Sequence, residues 1–78
     1  MATLKAYVLV TSKPGTSEDV VRAIKKVKGV VSVDSVYGRF DAVIIVESSE
    51  VKDLSELVYR VIEKNPNITH TETLITLT

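Results

Sequence analysis

The sequence contains no cysteine and no tryptophan, and it has a single histidine, His70. The absence of cysteine excludes disulfide bonds and thiolate metal ligands, and it is typical of proteins in a reducing compartment. A metal site or a catalytic histidine needs converging partner side chains, so His70 is more simply a solvated strand residue. We therefore predict neither a metal nor a cofactor.

The sequence also lacks a surplus of charge of either sign. Ten Lys and Arg residues balance ten Asp and Glu residues, so the formal net charge is zero. Binding to DNA, RNA or an anionic membrane depends largely on excess basic residues, and we expect neither a nucleic-acid nor a membrane partner. No apolar run approaches the roughly 20 residues that span a bilayer, and no basic leader precedes the first strand, so we expect a cytoplasmic location.

What the sequence does contain is a large share of aliphatic residues. Hydrophobic residues make up 45% of the 78 positions, with one Phe and one Met, so the apolar mass is mostly Val, Ile, Leu and Ala. A chain of this length has room for one core, and we expect residues 1–78 to form one domain. Folding alone, it would bury only about 60 to 65% of its unfolded surface, which favours an oligomer.

Four stretches are predicted to be strands, in which successive side chains point to opposite faces. They are Leu4–Thr11, Val30–Tyr37, Ala42–Val46 and Ile68–Leu77. In the second stretch, alternation places Val31 and Val33 on one face and Val30 on the other. In the third stretch every residue is apolar, so both faces should be covered and the strand belongs in the middle of a sheet.

Two stretches have helical spacing instead. The first follows a cap at Thr16 or Ser17 and ends at Gly29. The second follows a cap at Ser48 or Ser49 and ends at Asn65-Pro66-Asn67. Their apolar stripes repeat every three or four residues and predict the side that faces the core. The stripes are Val20, Ala23, Ile24 and Val27 in the first helix and Val51, Leu54, Leu57, Val58, Val61 and Ile62 in the second.

The element order β-α-β-β-α-β predicts a ferredoxin-like α+β sandwich. A hairpin joins the second and third strands, and right-handed crossovers elsewhere place both helices on one face of a four-stranded antiparallel sheet. The other face would then be bare. Its apolar side chains predict dimerisation through the sheet, because monomers seldom expose large contiguous apolar patches. These side chains are Tyr7, Leu9, Val43 or Ile44, and Ile75 or Leu77.

The stretch Tyr37-Gly38-Arg39-Phe40-Asp41 leads into the most apolar run of the chain. Gly38 can adopt a positive φ, so it suits a tight turn between a strand that ends near Tyr37 and one that starts near Phe40. Asp41 lies where the buried strand begins, beside backbone N–H groups of the turn. By residue type it more often accepts hydrogen bonds that brace such a turn, and the alternative is a ligand-binding carboxylate.

Three segments together resemble a known family. Gly38-x-x-Asp41 followed by Ala42-Val43-Ile44-Ile45-Val46 resembles the effector-binding half, the RAM domain, of the Lrp/AsnC (feast/famine) transcription regulators, with Phe40 in the aromatic place. Lys28-Gly29-Val30 is similar to the family's Gly-Val start of strand two, and Thr71-x-Thr73-Leu74-Ile75-Thr76-Leu77 is similar to its closing strand. The resemblance covers essentially the whole chain. Family regulators carry an N-terminal helix-turn-helix, whereas this sequence begins at the first strand, so it is similar to a stand-alone effector domain.

The resemblance also implies a function and a site. It implies a non-catalytic domain that forms sheet-paired dimers, assembles further to an octamer, and binds an amino acid effector where dimers meet. Full-length Lrp/AsnC-type regulators are the implied co-assembly partners in transcription regulation. Loop N–H groups would contact the ligand carboxylate, and Asp41 would contact its ammonium directly or fix the turn. The implied ligand-binding residues are Tyr37, Gly38, Arg39, Phe40 and Asp41, with Leu74 and Thr76 from the last strand.

Two functions of other classes remain open. One is a structural oligomer or adaptor that binds protein and no small ligand. The other is a small dimeric ferredoxin-like enzyme, such as a monooxygenase, with a cleft between sheet and helices. For such a cleft the sequence offers only His70, Tyr7 or Tyr37 as reactive side chains. The fold alone does not choose among the three functions, because this architecture hosts many activities.

Overall fold

The computed structural model describes residues 3–76, which fold in the predicted order of strands and helices. Within that range no helix combines the length and apolar character needed to cross a membrane. A π-helical segment, Val58–Glu63, continues the second helix. The other elements are β1 (Leu4–Ser12), α1 (Ser17–Lys25), β2 (Val30–Ser35), β3 (Ala42–Ser48), α2 (Val51–Leu57) and β4 (Ile68–Ile75).

The strands form one antiparallel sheet in the order β2-β3-β1-β4. β1 pairs with β3 on one side and with β4 on the other, while β2 pairs with β3. The helices pack on one face of this sheet, so the predicted ferredoxin-like α+β fold is confirmed. The prediction that the Ala42–Val46 strand is interior is also confirmed, because β3 lies between β2 and β1.

The core lies between the sheet and the helices. Alternate residues of β1 and β3 point toward the helices, and each fully buried Val, Leu or Ile side chain stabilises the fold by roughly 1.5 to 3 kcal/mol. In α2 and the π-helical segment, Leu54, Val58 and Ile62 are four residues apart, and the wider π turn keeps them on one side. The buried apolar residues are Ala6, Val8, Val10, Val20, Ile24, Val33, Ala42, Ile44, Val46, Leu54, Val58 and Ile62.

β2 differs from its prediction in length and in register. It ends at Ser35 rather than Tyr37. A bulge at Val31 shifts the pairing, so that Val30 lies opposite Val46 and Val33 opposite Ile44. Because one extra residue reverses the faces that follow it, Val30 and Val33 both turn toward the core and Val31 is 56% exposed. The prediction that Val31 shares the face of Val33 is therefore wrong.

The helix boundaries also correct the predictions. α1 ends at Lys25, four residues before Gly29, and Ala23 is exposed. Thr16 occupies the N-cap position of α1, but its hydroxyl donates to the Lys13 carbonyl (2.6 Å) and caps no helical N–H. The N-cap of α2 is Glu50, because Ser48 is the last residue of β3.

The face of the sheet opposite the helices has no covering element within residues 3–76. Tyr7, Leu9, Val43 and Ile45 lie on this open face and are partly exposed, and Leu74 is 52% exposed. Ile44 and Ile75, which the sequence offered as alternatives for the open face, are not on it. Ile44 is buried in the core, and Ile75 lies opposite Ala6 on the helix side. Leu77, the other alternative, is outside the described residues.

Candidate functional site

The residues singled out by the sequence form a loop, Val36–Asp41, between β2 and β3. It is longer than the predicted tight turn, because β2 ends at Ser35 and β3 begins only at Ala42. Gly38 has a φ of +139°, a conformation that glycine adopts at little cost, and a Cβ at this position would meet no atom within 4 Å. The loop is therefore clear of the rest of the protein at Gly38.

Asp41 ties this loop to β1 and to the end of β2. Its backbone N–H donates to the Val10 carbonyl (2.8 Å), and its carbonyl accepts from the Val36 N–H (3.0 Å). Its carboxylate oxygen Oδ2 accepts from the Ser12 N–H (2.8 Å) and from the Ser12 hydroxyl (3.3 Å). The bracing role of Asp41 is thus present, but the donors come from β1 rather than from the loop itself.

The strand register explains why β1 needs this carboxylate. Val10 pairs with Ala42, the first residue of β3, so continued pairing would place Ser12 opposite Phe40, where the strand has not yet begun. In an antiparallel ladder, backbone groups of alternate residues point the same way, so the Ser12 N–H faces the side where β3 is missing. The Asp41 side chain supplies the acceptor that a strand carbonyl would otherwise provide.

The other carboxylate oxygen of Asp41 remains available. Both bonds from Ser12 go to Oδ2, and Oδ1 accepts no hydrogen bond from residues 3–76. No buried side-chain oxygen in that range lacks a partner, so Oδ1 is not fully buried. Arg39 is exposed and forms no ion pair within the same residues, so the carboxylate charge is not neutralised by its neighbour.

Backbone N–H groups of the same loop are also available within residues 3–76. Between Tyr37 and Phe40, no N–H donates to another group in the described part of the chain. Tyr37 is fully exposed, and Phe40 is partly buried. The loop thus presents one carboxylate oxygen, a short run of free N–H donors and two aromatic rings within five consecutive residues. The carboxylate suits a positively charged group and the N–H donors suit a negatively charged group of a small molecule.

Leu74 and Thr76 lie away from this loop in the same chain. Thr76 donates its N–H (2.8 Å) and its hydroxyl (3.0 Å) to the Lys5 carbonyl, and Leu74 lies opposite Tyr7. The loop, in contrast, contacts β1 at Val10. At about 3.4 Å per residue, Lys5 is about 17 Å and Tyr7 about 10 Å from Val10 along the strand. The structure therefore gathers the first five predicted site residues and separates them from Leu74 and Thr76.

A groove between α2 and β4 is the place where an enzymatic cleft would be expected. Its volume is about 370 Å³, but His70, Tyr7 and Tyr37 are not among its lining residues. His70 is exposed and lies opposite Thr11 on the open sheet face. Among residues 3–76 no three His, Cys, Asp or Glu side chains cluster as metal ligands would. The groove is lined by Leu54, Ser55, Val58, Tyr59, Glu63, Thr73 and Ile75.

Ser12 is the residue of this region that the sequence did not identify. It lies 29 positions before Asp41, and a lone serine at the end of a strand carries no motif. Its hydroxyl also lies 3.2 Å from that of Ser17, the first residue of α1. The only signal in the sequence was the serine before the Lys13-Pro14-Gly15 turn, which predicts a strand end and no partner.

Solved structures with this fold include small proteins of nearly the same length. TTHA0845 from Thermus thermophilus is 28% identical with a TM-score of 0.91, and the match covers 96% of this chain and 94% of that one. Hypothetical protein PHS023 from Pyrococcus horikoshii is also 28% identical, with a TM-score of 0.90 and coverage of 96% and 90%. A search of curated proteins finds no match.

A larger regulator contains the same fold. The transcriptional regulator NMB0573 from Neisseria meningitidis, solved as a complex with L-Met, has a TM-score of 0.86 at 17% identity, and the match covers 96% of this chain and 50% of that one. At that identity the likeness shows the fold alone. The model of the Lrp/AsnC ligand binding domain matches residues 5–78. The chain therefore belongs to the Lrp/AsnC ligand-binding domain family, whose members are regulatory effector-binding domains.

Proposed function

We propose that this chain is an amino-acid-sensing regulatory domain that binds its effector at the Val36–Asp41 loop. The observation that carries the proposal is that one carboxylate oxygen of Asp41 and the N–H groups from Tyr37 to Phe40, in the same loop, form no hydrogen bond within residues 3–76. An amino acid has an ammonium and a carboxylate on one carbon, which match these two groups. Each charge-assisted hydrogen bond would contribute roughly 1.5 to 3 kcal/mol.

The remaining loop side chains serve the rest of the ligand. Arg39 is exposed and forms no ion pair within residues 3–76, so its guanidinium is available to the ligand carboxylate. Tyr37 and Phe40 supply aromatic surface for an apolar ligand side chain. The regulator NMB0573, a protein of the same fold, was solved with L-Met, which is an amino acid of this kind.

The site is completed by a second copy of the chain. Leu74 and Thr76 lie too far along β1 to reach the loop of their own protomer, so they act on the loop of a neighbouring one. Pairing of two open sheet faces buries Tyr7, Leu9 and Ile45, and further assembly of these dimers, up to an octamer, brings loops and β4 ends together. A ligand held between copies stabilises whichever assembly builds its site.

The regulatory role follows from this linkage. Residues 1–78 act as one effector-binding domain in the cytoplasm and catalyse no reaction. Co-assembly with full-length Lrp/AsnC-type regulators transmits the presence of the amino acid to transcription. This chain makes no direct contact with nucleic acid, in keeping with its zero net charge.

A structural oligomer without a ligand is the second candidate. The open face favours it, because its apolar side chains need a partner whether or not the loop binds anything. In that case the Val36–Asp41 loop is only a connection between β2 and β3. The two candidates share the same dimer and differ in what the loop does.

A thermal-shift screen against the twenty standard L-amino acids, with light scattering on the same samples, distinguishes the two. We expect at least one amino acid to raise the melting temperature and change the number of subunits. Asp41→Ala should abolish this response and leave a folded dimer. The matched control Asp53→Ala, which removes an exposed carboxylate of α2, should retain it. A folded Asp41→Ala protein with undiminished affinity would rule out the proposed role of Asp41, and no hit with a fixed oligomer would favour the structural candidate.

A further inference from the structure

Ser12 is the residue that holds the carboxylate of Asp41. We propose that Ser12 is a positioning residue for the ligand site: its two hydrogen bonds fix the side-chain rotamer of Asp41 so that Oδ1 stays directed to the ligand. This inference rests on the proposed function, because it assigns the orientation of the same carboxylate. Ser12 itself contacts no ligand, since its N–H and hydroxyl are engaged with Asp41 and Ser17.

The two bonds converge on a single oxygen. The Ser12 N–H lies 2.8 Å from Oδ2 and the Ser12 hydroxyl lies 3.3 Å from the same atom. An ionised carboxylate can only accept, so the Ser12 hydroxyl must donate its one hydrogen to Asp41. The hydroxyl of Ser17, 3.2 Å away, then donates to Ser12. A relay from Ser17 through Ser12 to Asp41 therefore links the first turn of α1 to the ligand loop.

Burial makes this arrangement specific. Ser12 is 8% exposed and is the one polar residue among the buried residues of the described chain. Water therefore has little access to replace its hydroxyl, whereas Oδ1 of Asp41 is not fully buried. Without the hydroxyl, the carboxylate keeps one bond, to the Ser12 N–H, and can rotate between staggered positions. A side chain that contacts a ligand binds it tightly only when a neighbouring residue holds that side chain in the binding geometry.

Three variants test the proposal by ligand affinity. Titration uses L-methionine as the first probe and each other standard amino acid in turn, on the full chain. We expect Ser12→Ala to weaken binding about five- to tenfold, and Ser17→Ala about two- to threefold, as the loss of one hydrogen bond predicts. The matched control is Ser48→Ala, at the opposite end of β3, where the serine is partly buried and its hydroxyl makes no hydrogen bond within residues 3–76. It should bind within about twofold of the unmodified protein.

A second readout requires no ligand. Three-bond couplings of the Asp41 side chain report whether it occupies one rotamer or several. We expect one rotamer in the unmodified protein and in Ser48→Ala, and averaging in Ser12→Ala. Should Ser12→Ala fail to fold, Ser17→Ala replaces it in both measurements, with a smaller degree of averaging expected.

The proposal is overturned if Asp41 is already averaged in the unmodified protein, or if it keeps one rotamer in folded Ser12→Ala. It is also overturned if Ser12→Ala binds as tightly as the unmodified protein. If no amino acid binds the unmodified protein, the proposed function fails, and the rotamer measurement still decides whether Ser12 positions Asp41. Failure of this inference and failure of the proposed function are thus distinguishable.

Discussion

The two connections that flank β2 each contain a glycine with a positive φ, but their surroundings differ. A Cβ on Gly29 (φ +100°) would lie 2.9 Å from Cδ2 of Leu57, and the Gly29 carbonyl accepts from the Glu47 N–H (3.3 Å). A Cβ on Gly38 (φ +139°) would meet no atom within 4 Å. A larger residue at the first position is disfavoured by backbone conformation and by contact with the Leu57 side chain, and at the second position by backbone conformation alone.

The difference separates a structural turn from a binding loop. At Gly29 the Leu57 side chain of α2 lies against the turn that joins α1 to β2. Within residues 3–76 the loop around Gly38 forms hydrogen bonds only through Val36 and Asp41, and the residues from Tyr37 to Arg39 are exposed. Binding residues are commonly found in such loops, which a rigid scaffold presents but does not fill.

The largest effect is expected at the packed turn. Gly29→Ala should lower the free energy of unfolding by about 2 to 4 kcal/mol, because positive-φ strain adds to overlap with Leu57. Urea denaturation measures the loss. In a Leu57→Ala background the same substitution should cost about 1 kcal/mol less, since the overlapping methyl group is gone. Equal costs in the two backgrounds would show that overlap with Leu57 is not the reason.

The next effect is expected at the anchor of the loop. Asp41→Ala should lower the free energy of unfolding by about 1.5 to 3 kcal/mol, because the largely buried Ser12 N–H loses its charged acceptor. Asp41→Asn keeps one acceptor oxygen and should cost less than about 1 kcal/mol. The same Asn variant should lose at least about tenfold in affinity for the amino acid, because the ammonium loses its charged partner. Chemical denaturation and calorimetric titration of both variants would separate the two roles, and unchanged affinity in Asp41→Asn contradicts the binding role.

A smaller effect is expected at the open glycine. Gly38→Ala should cost about 1 to 2 kcal/mol from backbone strain alone, less than Gly29→Ala under the same conditions. Urea denaturation of both proteins in parallel gives the difference directly. If Gly38→Ala were the more destabilising substitution, the contrast between the two turns would be lost.

The smallest effect on stability is expected at Tyr37. Its side chain is fully exposed, so Tyr37→Ala should change the free energy of unfolding by no more than about 0.5 kcal/mol. Binding of the amino acid should nevertheless weaken, because the ring lies in the proposed site. A variant of unchanged stability and unchanged affinity would remove Tyr37 from the site.

The sequence predicts the fold well where a hydrophobic pattern is compatible with only one structure. The continuous apolar run from Ala42 to Val46 requires cover on both faces, and the interior position of β3 follows from it. In β2, however, Val30, Val31 and Val33 fit either face, so pattern does not locate the bulge that selects among them. Likewise, a helix stop at Gly29 is compatible with a helix that ends earlier and turns through Lys26–Lys28.

The candidate site likewise has a part that the sequence predicts and a part that it does not. The stretch from Tyr37 to Asp41 is continuous in sequence, so its residues are necessarily together in the structure. The partner of Asp41 is 29 residues away and depends on the register between β1 and β3, which no local pattern records. Leu74 and Thr76 were predicted for the same site, but the register of β4 separates them from it within one protomer.

The most direct test of the binding role is a titration of ¹⁵N-labelled protein with the standard L-amino acids, followed through the glycine amide signals. The chain has three glycines, so Gly29 and Gly38 are readily assigned and serve as internal reference and probe. We predict that one or more amino acids shift the Gly38 amide and leave the Gly29 amide in place. If no amino acid moves Gly38, or if Gly29 moves equally, the Val36–Asp41 loop is not the effector site.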